Sequence, residues 1–284
     1  MRSVERVYCC VLCCVLLSLQ TLFAPLGPSP IRAQDLPAGA EDVVERLSNS
    51  PRHGEWLTVP TGGGDEVRAW IVYPERSDAA PVVLVIQEIF GMTDWIRAVA
   101  DQLAADGFIA IAPDLLSGKG PGGGDSDSVD QQGAVALVRE LDRSEVNRRL
   151  QATAEYATAL PASSGVVASI GFCWGGGVSF TLATAWSELA AAVVYYGTSP
   201  GDDDVARVRV PILGLYGGDD ARVNATIEPA QAVLAGLGGR YEVEIYEGAG
   251  HGFLRQQDGR DGANLRASEG AWSRTVAFLQ EVLE

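Results

Sequence analysis

The segment Gly171-Phe172-Cys173-Trp174-Gly175 sets a thiol two residues from a glycine on either side. A nucleophile that must stand clear of the chain sits on a tight, strained turn between a strand and a helix, and only small neighbours fit such a turn. The spacing therefore reads as a nucleophile elbow, with sulfur in place of the usual serine oxygen. The N–H of Trp174, opening the next helix, then faces a developing oxyanion. The helix N-terminus also favours thiolate over thiol. A buried cysteine packed beside glycines is the plainer alternative; the strand–turn–helix context favours the nucleophile.

A thiol nucleophile wants a base, and the chain has two histidines, His53 and His251. His53 lies in a polar stretch and reads as a solvated loop residue. His251, in Gly250-His251-Gly252-Phe253, follows the last expected strand, where the base of such a triad belongs. Asp219 and Asp220 both follow the preceding expected strand, so the order is Cys, Asp, His whichever of the two serves. Asp202, Asp203 and Asp204 read as a solvated acidic loop. Glu88 directly follows the apolar run ending in Ile86-Gln87, where a carboxylate is unfavourable unless paired or used. The amide of Ile89 falls in the first strand-to-helix loop, the expected place of a second oxyanion donor.

These residues need elements to hold them. Residues 55–59 and 67–73 predict a hairpin around Gly62-Gly63-Gly64. Residues 82–86 are continuously apolar and β-branched, the pattern of a strand buried on both faces. Further strands are expected at 108–112, 165–172, 190–196, 212–216 and 241–246. Helices are expected near 41–47 and at 94–105, 143–160, 175–186, 229–237 and 263–283. Strand and helix alternate, which argues for a mostly parallel sheet of about eight strands with helices on both faces. Ligands bind such sheets at the carboxyl ends of the strands, where each candidate residue falls. Residues 114–129, rich in Ser, Gly and Asp, predict a mobile surface loop.

The chain has 284 residues, is 47% hydrophobic and carries a formal charge of −16. That composition builds a full core and excludes global disorder. So acidic a surface repels phosphate backbones, so no nucleic-acid partner is expected. Arg2 and Arg6 precede an apolar run from Val7 to Phe23, and residues 31–33 offer a cleavage site, so residues 1–33 read as a signal peptide. An uncleaved anchor is the alternative, but the run is short for a membrane span. Four of the five cysteines (Cys9, Cys10, Cys13, Cys14) lie in that segment and would leave with it. Cys173 then remains as a lone thiol with no disulfide partner. Residues 34–54 read as a polar leader and 55–284 as one domain. The expected location is exported, periplasmic or secreted, without stable membrane insertion after cleavage.

Gln87-Glu88-Ile89-Phe90-Gly91, Gly171-Phe172-Cys173-Trp174-Gly175-Gly176 and Gly248-Ala249-Gly250-His251-Gly252-Phe253 resemble the signature segments of dienelactone hydrolases (carboxymethylenebutenolidases). Pro113-Asp114-Leu115 and Tyr195-Tyr196-Gly197 are similar to further family segments, and the resemblance runs from about residue 55 to the C-terminus. It implies an α/β-hydrolase fold with Cys173 as nucleophile, His251 as base and Asp220, selected by the family spacing from Gly217, as the orienting acid. It also implies that Glu88 holds the resting thiol, that the Ile89 and Trp174 amides form the oxyanion hole, and that Arg255 and Tyr196 contact substrate. A second substrate-binding arginine of the lactone-hydrolysing members has no counterpart, because Gly118 stands there. A neutral or singly charged ester or lactone is therefore the expected preference, with Lys119 and Arg139 the further cations able to supply a contact.

The expectation is thus a monomeric hydrolase of a small ester or lactone, working through an acyl-cysteine. A thioesterase or general carboxylesterase of the same fold, or a non-catalytic ligand-binding or redox-sensing member, are the alternatives. No cofactor and no metal are expected, since no His/Cys cluster has ligand spacing.

Overall fold

The computed structural model describes residues 36–283. The signal segment and its four cysteines lie outside them. Eight strands form one sheet: β1 (Gly54–Pro60), β2 (Glu66–Val72), β3 (Ala80–Ile86), β4 (Ile109–Pro113), β5 (Ser163–Phe172), β6 (Ala191–Tyr195), β7 (Ile212–Gly217) and β8 (Tyr241–Tyr246). Their spatial order is β1-β2-β4-β3-β5-β6-β7-β8. The β1/β2 and β2/β4 pairs are antiparallel and the remaining pairs parallel. This is the mostly parallel, eight-stranded sheet that the alternation predicts, and it fits the α/β-hydrolase fold that the resemblance implies.

The central strand β3 is buried throughout, as its unbroken apolar run requires. Its side chains alternate between two cores. Val83 and Val85 face α1 (Val43–Ser48), α2 (Asp94–Ala105) and α9 (Ala263–Leu283), alongside Trp95, Leu103, Trp272 and Phe278. Val82, Leu84 and Ile86 face α4 (Arg143–Thr158), α5 (Trp174–Ala185) and α8 (Ile227–Gly236), alongside Leu150, Phe180 and Leu234. Local signals set the helix starts: the Thr93 hydroxyl accepts from the Ile96 N–H, and the Asp142 carboxylate accepts from the Ser144 and Glu145 N–H groups.

Three features depart from the sequence expectations. First, a helix, α3 (Gln131–Glu140), precedes α4. Its buried residues are only Ala134 and Val138, so its apolar stripe is too thin to read by periodicity. Second, residues 114–129 are not a free loop. The buried Asp114 carboxylate accepts from the Ser126 N–H (2.9 Å) and hydroxyl (2.7 Å), while Arg68 bonds Asp125 and Asp127 at 2.8 Å each. Third, the polar leader contributes to the core: Leu36 and Ala38 are buried. Trp95 donates to the Ala38 carbonyl (3.0 Å), Gln257 to that of Pro37 (2.9 Å), and the Ala40 N–H to that of Arg255 (2.8 Å). The short helices α6 (Asp202–Val205) and α7 (Ala221–Asn224) complete the carboxyl edge of the sheet.

Candidate active site

Cys173 ends the turn from β5 into α5 with φ 55° and ψ −115°. A non-glycine residue at positive φ is strained and persists only where its surroundings hold it. Here the hold comes from close backbone packing. A Cβ on Gly171 would lie 2.0 Å from the Gly175 carbonyl oxygen, and one on Gly175 would lie 2.2 Å from that of Gln87. The second contact joins the elbow to the loop after β3, and the β3/β5 register of Ile86 opposite Gly171 brings the two loops level. As a result the N–H groups of both Trp174 and Ile89 reach the Cys173 sulfur and favour its thiolate. Burial and the neighbouring Glu88 oppose them more strongly, and the thiol is pushed above its ordinary range.

β7 and β8 supply the next pair. His251 Nδ1 lies 2.5 Å from Asp220 Oδ2, and that carboxylate is buried. Asp219 points outward and pairs instead with Arg260 at 2.7 Å. The two adjacent acids are thus separated by partner, and Asp220 meets the imidazole. The Tyr196 ring, fully buried and itself at φ 39°, packs edge-on to His251 with centroids 5.1 Å apart. No hydrogen bond joins the Cys173 thiol to His251; such contacts commonly tighten only when substrate binds. His53, the other candidate imidazole, is exposed near Glu55.

Glu88 is 2% exposed. Burial pushes its carboxyl up to about 7 despite the opposing pull of Arg255. Its partner is Arg255 Nε at 2.8 Å, and it makes no hydrogen bond to the thiol. The structure therefore sets Glu88 beside Cys173 but pairs it elsewhere. Arg255, implied as a substrate contact, is taken up by this ion pair and lies against the Phe90 ring at 5.1 Å.

Two cavities flank this group. The larger, about 640 Å³, opens at Cys173, Ile89, Trp174 and Tyr196. Apolar residues of α3–α5, including Leu141, Val146 and Val178, wall it, and three arginines, Arg139, Arg143 and Arg222, also line it. Arg139 is one of the two further cations that the sequence offers for a substrate contact. Lys119 is not available, being paired with Glu145 at 2.8 Å. Arg222 escaped the sequence reading, although its place two residues after Asp220 put it at a strand's carboxyl end. The second cavity, about 410 Å³, is lined by Glu88, Arg255, Phe90, Trp95 and the leader residues Ala40 and Val43.

A thiol on a strained elbow, two amides at its sulfur and an imidazole fixed by a buried carboxylate can carry out nucleophilic acyl transfer. The family model described as "Dienelactone hydrolase family" matches residues 67–283. The chain belongs to that family. It is 32% identical over 231 residues to the protein named "Putative carboxymethylenebutenolidase" of Salmonella typhimurium strain LT2, covering 77% of this chain and 84% of that one. The crystal structure named "Putative Dienelactone Hydrolase" from Klebsiella pneumoniae superposes with a TM-score of 0.70 at 28% identity, covering 80% of this chain and 97% of the other. A dienelactone hydrolase-like promiscuous phosphotriesterase from metagenomic libraries gives 0.70 at 25% identity, with 81% and 98% covered. The chain is accordingly a hydrolase of the dienelactone hydrolase family, acting on a small-molecule substrate.

Proposed function

We propose that this hydrolase cleaves a small ester or lactone through an acyl-cysteine intermediate on Cys173. The observation that carries the reading is the Cys173 sulfur held on a positive-φ elbow against the N–H groups of Trp174 and Ile89. Asp220 occupies Nδ1 of His251, leaving Nε2 to exchange protons. The thiol gives its proton to His251, and the sulfur attacks the carbonyl carbon. The carbonyl oxygen becomes an oxyanion bonded to the two amides. The C–O bond to the leaving group breaks, and the leaving oxygen takes the proton from His251. Water, deprotonated by His251, then attacks the thioester carbon, releasing the acid and restoring the thiol.

Mass spectrometry of the protein quenched during turnover of a 4-nitrophenyl ester tests this. The acyl mass should sit on the peptide containing Cys173 and be absent in Cys173→Ala. Turnover by Cys173→Ala at the wild-type rate would end the proposal. Thioesters and simple carboxylic esters suit the same chemistry, and a substrate panel ranks them. We read residues 1–33 as an export signal and the working form as a monomer. N-terminal sequencing of exported protein should begin near Gln34, and light scattering should return the mass of one chain.

A further inference from the structure

We propose that Arg222 and Arg139 form an anion-docking wall of the Cys173 cavity, so that the preferred substrate is an ester or lactone with a carboxylate or phosphate distant from the scissile bond. This rests on the acyl-cysteine reading of the same site.

The chain is rich in acid, with 37 Asp and Glu against 21 Lys and Arg. Among the described residues most Lys and Arg side chains have a carboxylate partner. Arg139, Arg209, Arg222 and Arg266 are the described arginines outside any ion pair. Arg209 is bonded to the carbonyls of Ala206 and Val208. Two of the remaining three, from separate elements, converge on one cavity, and that cavity is the one holding Cys173.

The third arginine of the lining is spoken for. Arg143 bonds Asp204 (3.3 Å) and the Thr181 hydroxyl (3.1 Å), and Asp204 is shared with Arg207. Among the described residues Asp204 is the one carboxylate lining this cavity, and two guanidinium groups already neutralise it. Arg139 and Arg222 therefore face the cavity with donors and charge uncommitted. Arg222 lines the same cavity as Cys173, and its positive charge favours the thiolate there. The apolar residues Leu141, Val146 and Val178 of the same lining suit a short hydrocarbon spacer. Arg255 cannot serve this purpose while Glu88 holds it, and it lines the other cavity. The charge contact that Gly118 withholds is thus supplied from α3 and α7, on a different wall.

The test compares kcat/KM for 4-nitrophenyl butyrate with that for the mono-4-nitrophenyl esters of succinate and adipate. The dicarboxylate half-esters should be preferred, and the preference should shrink as salt rises. Arg222→Gln and Arg139→Gln should each lower the anionic-to-neutral ratio about tenfold, chiefly through KM, whereas Arg266→Gln leaves it unchanged. Inhibition by free glutarate against inorganic phosphate tells which anion the wall takes. An unchanged ratio in both Arg139→Gln and Arg222→Gln overturns the proposal even if Cys173 proves essential. Should no ester be turned over, the acyl-cysteine reading fails by itself. Calorimetric titration of the adipate half-ester into Cys173→Ala then decides docking: binding weakened about tenfold by Arg222→Gln supports the wall, and no binding rejects it.

Discussion

The two cavities on either side of the Glu88-Ile89-Phe90 loop treat charge in opposite ways. On the Cys173 side, Arg139 and Arg222 are exposed and carry no carboxylate partner. On the leader side, Arg255 is only 22% exposed at its side chain and is joined to a carboxylate with almost no access to water. Such a pair must offset the desolvation of both ions, so neither is free to bind anything else without leaving the other uncompensated. Uncommitted cations can accept a ligand directly, whereas a buried ion pair whose carboxyl is pushed up to about 7 responds by moving a proton. The first side is suited to reading substrate, the second to setting the protonation of Glu88.

The largest expected effect lies on the open side. Cys173→Ala should lower kcat on short-chain esters at least a thousandfold, measured by steady-state release of 4-nitrophenol. It would show that chemistry, and not merely binding, belongs to that cavity. Asp220→Asn should come next, lowering kcat about a hundredfold to a thousandfold by releasing His251 from its orientation. Asp219→Asn, which breaks only an exposed contact with Arg260, should stay within about twofold. If Asp219→Asn proves the damaging change, the pairing seen at His251 does not operate in turnover.

The leader side should respond in stability. A chain beginning at Gln34 should fold with its full stability. A chain beginning at Val43 loses the buried Leu36 and Ala38 and the bonds to the Arg255 loop, and should lose about 2–4 kcal/mol in urea unfolding. Equal stability of the two chains would show that the leader does not support Arg255.

The smallest effect concerns the proton on Glu88. Its folded carboxyl, near 7 against an ordinary 4.5, binds more proton folded than unfolded across that interval. Its contribution to stability is therefore present at low pH and lost as pH rises through about 7. Glu88→Gln has no such titration, so it should gain on the wild type by roughly 2–3 kcal/mol between pH 4 and pH 8.5. A difference independent of pH would mean that Arg255 keeps Glu88 ionised throughout.

Much of the fold was legible residue by residue. The helices 94–105 and 263–283 and the strand 241–246 match their expected limits. Cys173 and His251 could be singled out because a chain with two histidines and one thiol past residue 33 offers few choices, and strand-end positions narrow them further. Helix α3 was not legible, since a surface helix that buries two side chains leaves almost no periodic trace. Nor was the fixing of residues 114–129, because it depends on Asp114 meeting Ser126 and on Arg68 arriving from a distant strand.

By itself the sequence determined what local chemistry can encode: the alternation of buried strands and helices, the tight glycine-flanked turn at Cys173, and the order of thiol, acid and imidazole. Those properties depend on side-chain type and short spacing. The tertiary structure alone decided how charges are shared. Glu88, Arg255, Arg222 and Arg139 come from four separate segments, and whether a cation is paired or free depends on which carboxylate the folded chain brings within about 3–4 Å. No short-range pattern fixes that distance, so the sequence could name the charged residues but not which of them remain available to a ligand.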